Sequence, residues 1–142
     1  MKHISRSIAV GLMGLFMTCA AWAQEGAKVV YHFDAGLEQA TKGLRNIKNH
    51  LDVEPKTRIV VVAHAQGVNF LLDGAQNQAG NPYNIPVEEL AARGVEFRVC
   101  EITLKSNKID PKRLLPEVKL VPSGVVEVTR LQAKEGFAYL KP

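Results

Sequence analysis

Apolar positions along this chain follow two periods in turn. KVVYHF (Lys28–Phe33) is a compact β-rich run. From Leu37 the apolar residues Leu37, Ala40, Leu44, Ile47 and Leu51 step by three and four, which is the stripe of an amphipathic helix, and Pro55 stops it. RIVVVAHA (Arg58–Ala65) is the strongest strand signal, and its unbroken Ile59–Ala63 core predicts a central parallel strand covered on both faces. Gly67–Leu72 reads as a helical turn, and GAQNQAGNPYN (Gly74–Asn84) as a loop. Pro86 with Glu88 and Glu89 suits a first helical turn, which Gly94 would end. Val95–Cys100 predicts a third strand and Val118–Val121 a fourth. Asp110 with Pro111 resembles a cap followed by a first helical residue. Ser123 is placed to cap a helix running to about Glu135, with Gly136 as its stop and Phe137–Leu140 as a fifth strand.

Strands separated by helices of this length imply right-handed βαβ crossovers, hence a parallel sheet between helical layers. The expectation is one domain of three-layer α/β/α type with about five strands, mostly parallel. One strand departs from the pattern. Val95, Phe97 and Val99 alternate with Glu96 and Arg98, so one face of the third strand is polar. Such a strand lies near an edge, or its polar face meets another subunit.

The first residues alter the view of composition. Lys2 and Arg6 precede an apolar stretch from Ile8 to Cys19, and Ala21-Trp22-Ala23 supplies a small-x-small cleavage site. The apolar run is short for a membrane span of ~20 residues. Residues 1–23 are therefore expected to be a cleaved signal peptide and residues 24–142 a single exported, periplasmic domain. A lipidated Cys19 and a retained anchor are the alternatives, but Phe16 and Thr18 fit a lipobox poorly. Cleavage removes two cations and no acid, so the formal charge falls from +4 to +2. No cluster of basic residues interleaved with aromatics remains, which argues against nucleic acid as a partner. No second apolar run approaches membrane length.

Cleavage also leaves Cys100 as the sole thiol in an oxidising compartment, where it is buried and inert, paired between chains, or reactive. Ligands of open parallel sheets bind beyond the carboxyl ends of the strands. His32, His64 and Cys100 fall there, at the ends of strands one, two and three, and share one rim if those strands are neighbours. A helix beginning at Glu101 would aim free N–H groups at the Cys100 sulfur and favour its thiolate, with the Glu101 carboxylate opposing. The competing reading is that Cys100 fills space, as buried cysteines often do. Cys100 and His64 are the candidate catalytic residues, and His32, Gly67, Glu101 and Thr103 the candidate binding residues. His50 reads as a solvated residue at a polar helix end. A metal site from His32, His64 and Cys100 is chemically allowed, but no CxxC or HxxxH spacing supports one, and neither metal nor cofactor is expected. With only Ser106 and Ser123 after residue 23, and no GxSxG, GxxxxGK[ST] or GxGxxG, serine hydrolysis and nucleotide binding lack positive signals.

Three segments together resemble a known family: VVVAHAQGVNFLL, ELAARGVEFRVCEITL and VPSGVVEVTRLQAKEGFAYLKP. They are similar to the DsrE/DsrF-like proteins of sulfur-relay systems, and closest to small stand-alone members with one cysteine. The similarity runs from about Lys28 to Pro142. It implies a flavodoxin-like sandwich assembled as homo-oligomers, trimers or hexamers. It also implies a cysteine, matching Cys100, that carries sulfur as a persulfide between a donor and an acceptor protein. His64 matches the family's histidine. Two departures stand out. Many relatives have Asn where this chain has Ile102, and the best understood members work in the cytoplasm, without a secretion signal.

Overall fold

Residues 26–142 are described by the computed structural model, and the leader expected over residues 1–23 lies outside them. Five strands form, β1 (Lys28–Phe33), β2 (Arg58–Ala63), β3 (Glu96–Cys100), β4 (Val118–Val121) and β5 (Ala138–Leu140). They alternate with helices α1 (Leu37–Val53), α2 (Asn84–Ala92), α3 (Glu101–Ser106) and α4 (Gly124–Glu135), and Ala65–Leu71 forms a 3-10 segment after β2. The sheet order is β4-β3-β2-β1-β5, and every pairing is parallel. This is the three-layer α/β sandwich that the alternating periods predict.

Topology explains how the helices divide. The chain steps outward from β1 to β4, then returns across the sheet to place β5 beside β1. Right-handed crossovers in opposite directions put their helices on opposite faces. Accordingly, Leu44, Ile47 and Leu51 of α1, Leu90 of α2 and Leu104 of α3 share the larger core with Tyr31, Phe33, Val61, Phe97 and Val99. Val128 and Leu131 of α4, with Phe137, cover Val30, Val60 and Val62 on the other side. Side chains alternate along a strand, and the register pairs Val30 with Val60 and Val62 with Arg98. The even-numbered residues of β1, β2 and β3 therefore all face α4. β2 is central and solvent barely reaches it from Ile59 to Ala63, as its apolar run requires.

The half-polar third strand lies one position in from the edge strand β4, and its polar face has a partner within the chain. Arg98 bonds Glu127 of α4 and also Glu96, its Nη2 lying 2.7 Å from Glu96 Oε2. Glu127 is held in turn by Arg130, at 2.8 and 2.9 Å. A second subunit is not needed to explain Glu96 and Arg98, because α4 brings the compensating carboxylate.

Two local expectations are corrected. Ser123 occupies the position before α4, but its hydroxyl makes no capping bond, whereas Asp110 does cap the short turn after it by accepting from the Lys112 N–H at 2.9 Å. His50 is half-buried rather than solvated, and Nδ1 of its ring lies 3.1 Å from the Tyr31 hydroxyl. Gly136 closes α4 in the left-handed conformation at φ 73°, where a side chain would be strained. Among the described residues no helix is long and apolar enough to cross a membrane.

The ion-pair system predicts a specific weakness. The Arg130 hydrogen bond lowers the Glu127 carboxyl below its usual range, burial opposes, and Arg98 adds to the lowering. A depressed folded value means that the stabilisation is present above the ordinary carboxylate range near ~4.3 and lost as pH falls through the folded value. Glu127→Ala leaves the Arg98 guanidinium with Glu96 as its remaining carboxylate and should cost about 2 kcal/mol in denaturant unfolding at neutral pH. It should also flatten the acid-side loss of stability, while Glu127→Gln costs less.

Candidate functional site at the carboxyl rim

Sheet order makes neighbours of the three strand ends that carry reactive side chains. His32 lies within β1, His64 follows β2 and Cys100 ends β3. All three are in phase with Val62 and Arg98, so they emerge on the face that α4 covers. The start of α4 completes the rim. A Cβ added to Gly124 would lie 3.0 Å from the His64 Cβ and 3.2 Å from the Cys100 Cβ, so glycine lets α4 begin this close without crowding either side chain.

Cys100 is buried, with 5% of its surface exposed, and sits at the position before α3. Burial alone pushes its thiol up. Four donor groups near the sulfur act against burial: the Gly124 N–H, the Thr103 hydroxyl, and the N–H groups of Thr103 and Ile102. The donors prevail and hold the thiol below its ordinary value. Thr103 Oγ1 also accepts from the Ala65 N–H at 3.0 Å, which leaves its own proton for the sulfur. Ala65 adopts φ 48°, uncommon for a residue with a side chain. That turn is the kind of locally strained backbone held in place at functional sites.

The remaining candidates divide by role. Ile102 takes part through its backbone N–H, and its side chain is 56% exposed. Glu101 turns its carboxylate to Lys105, 3.4 Å away. Gly67 packs the 3-10 segment against the end of β1, since a Cβ there would lie 2.2 Å from the Phe33 carbonyl oxygen. Its position accounts for close packing rather than ligand contact.

His32 and His64 meet directly, with their Nε2 atoms 2.6 Å apart. One proton fits between them, so one ring donates and the other accepts. His32 Nδ1 lies 2.7 Å from the Tyr139 hydroxyl of β5. Burial, then the neighbouring His64, lowers the His32 pKa, while Asp34 opposes and Lys141 adds to the lowering. Asp34 itself is paired with Lys141 at 2.6 Å. His32, Asp34 and His64 each offer a ligand atom within 4.8 Å of the other two, and Cys100 stands outside that group. Tyr139, Asp34 and Gly124 escape sequence reasoning. Asp34 had a usable signal, two positions after His32 and so on the same side of the strand. Tyr139 and Gly124 enter only through the sheet order and the crossover of α4.

Comparison with known proteins follows the same lines. The profile of the DsrE/DsrF-like family matches residues 27–142. A solved structure of MTH1491, a protein of unknown function from Methanobacterium thermoautotrophicum, is 35% identical and superposes with a TM-score of 0.73. The alignment covers 82% of this chain and 99% of that one. The ychN protein from E. coli is 18% identical with a TM-score of 0.69, over 82% of this chain and 99% of its own, a likeness of fold. No curated protein matches the sequence.

The sulfur's surroundings predict how its reactivity responds to substitution. Thr103→Val removes one donor to a thiolate, worth about 1.5 kcal/mol, and should raise the pH midpoint of iodoacetamide alkylation by about one unit. Gly124→Ala forces α4 away from Cys100 and His64 and should move the midpoint in the same direction. An unchanged midpoint in both variants would show that these donors do not set the thiol's acidity.

Proposed function

The chain belongs to the DsrE/DsrF-like family, and on that premise we propose that it is a periplasmic sulfur-handling protein with Cys100 as persulfide carrier or sulfurtransferase nucleophile. The observation that carries this reading is the set of four donors converging on one buried sulfur. Such a socket favours an anion, whether thiolate or persulfide, and an inert space-filling cysteine has no use for it. In the reaction, the Cys100 thiolate attacks the outer sulfur of a sulfane donor. A new S–S bond forms, the donor's S–S bond breaks, and its electron pair leaves as sulfite from thiosulfate or as a shortened polysulfide. An acceptor thiolate then attacks the outer sulfur of the persulfide and returns Cys100 to the thiolate. His64, at the end of the neighbouring strand, orients or protonates the leaving group.

Compartment and assembly complete the proposal. The leader-like pattern of residues 1–23 supports export and cleavage before Gln24. A homo-oligomer, trimer or hexamer, is supported by apolar side chains left exposed where α3 and α4 begin around the thiol, namely Ile102, Val125 at 57% and Val126 at 63%. The same surface suits contact with a protein that donates or accepts the sulfur.

Mass spectrometry of purified protein treated with polysulfide or thiosulfate tests the reading. A gain of one sulfur atom that dithiothreitol reverses, absent in Cys100→Ser, is the expected result. If no adduct forms on a thiol that still alkylates, the carrier role is wrong. A thiol inert to both reagents points instead to a binding or assembly module with a buried cysteine.

A further inference from the structure

We propose that His32, His64 and Asp34 form a binding site for a divalent transition-metal ion of the zinc class, beside but separate from Cys100. The three donor atoms lie within 4.8 Å of one another on the ends of two adjacent strands, which is a rigid platform. Two imidazole nitrogens and one carboxylate oxygen suit zinc, cobalt or nickel, whereas magnesium and calcium prefer all-oxygen sites. The two Nε2 atoms face each other 2.6 Å apart, and an ion would take the place of the proton between them. With metal–nitrogen distances near ~2.1 Å, tetrahedral coordination needs them about 3.4 Å apart, so the rings must open by less than ~1 Å.

Three further features fit the same ligand. The second nitrogen of His32 is bonded to Tyr139 at 2.7 Å, the outer-shell contact that fixes a metal-binding imidazole. Asp34 already holds a cation, the Lys141 ammonium at 2.6 Å, whose side chain is about half exposed. Releasing a pair of that kind costs little, so an incoming metal can take its place. The cluster also lies where β5 returns beside β1, and parallel sheets bind ligands at such reversals of strand order. Three protein ligands leave a coordination position open to water or a small anion. Cys100 is not needed, since its sulfur is engaged by four donors of its own.

The inference shares His64 with the persulfide reading but does not require Cys100, and its test separates the two. Purified full-length protein is titrated with Co2+, followed by optical absorption, and with Zn2+, followed by calorimetry. Saturable stoichiometric binding is expected, with cobalt d–d bands but no thiolate-to-metal charge transfer. His32→Gln and His64→Gln should abolish it, and Tyr139→Phe should weaken it about tenfold. Circular dichroism and melting confirm that the variants fold. Cys100→Ser should bind Co2+ as the parent does, while losing the sulfur adduct that the parent forms in chelator. The proposal is overturned if the folded parent shows no saturable binding, if His32→Gln binds undiminished, or if a charge-transfer band vanishes in Cys100→Ser.

Discussion

Parallel pairing in step between β1, β2 and β3 is the constraint from which the rest of this molecule follows. With Val30, Val60 and Glu96 in one row and His32, Val62 and Arg98 in the next, every even position of these strands meets α4. The apolar members of that set form the small core under α4, the charged members form the ion-pair system, and the members at the carboxyl rim form the site. A slip of one residue in any pairing would turn an entire set to the opposite face.

α4 serves all three zones along its length. Its first N–H favours a negative charge on the Cys100 sulfur, Glu127 neutralises Arg98, and Val128 and Leu131 bury the sheet. The site therefore depends on how this helix is seated. Gly124 permits the close approach at one end, and Gly136 releases the chain into β5 at the other. β5 then brings Tyr139 to His32, so the crossover that completes the fold also completes the rim. The polar groups there separate into two systems, hydrogen-bond donors around a sulfur that favours negative charge, and basic and acidic side chains around a seat that favours positive charge. His64 belongs to both neighbourhoods.

Much of the fold is legible in the chain because each element is locally consistent. The Leu37–Leu51 stripe, the Ile59–Ala63 run and the stops at Pro55 and Gly136 appear in the structure where the pattern puts them. The polar face of β3 was a true anomaly whose explanation was not local, since Glu127 lies in a helix that crosses from beyond β4. Ser123 carries the residue type of a cap without the bond. The site follows the same division. Cys100 at a strand-to-helix junction and Thr103 in the following turn are visible from spacing. The His32–His64 contact needs the strand order, and Gly124, Asp34 and Tyr139 need the register and the returning crossover.

The central claim is that the fold builds a socket that makes the Cys100 thiol more acidic than a free one. Titration of the Cys100 Cβ resonance in folded, isotope-labelled protein reads this without a chemical probe. The account predicts ionisation at a lower pH than the same thiol shows in the denaturant-unfolded chain. Ionisation at or above that value would mean that burial outweighs the four donors, and would contradict the account.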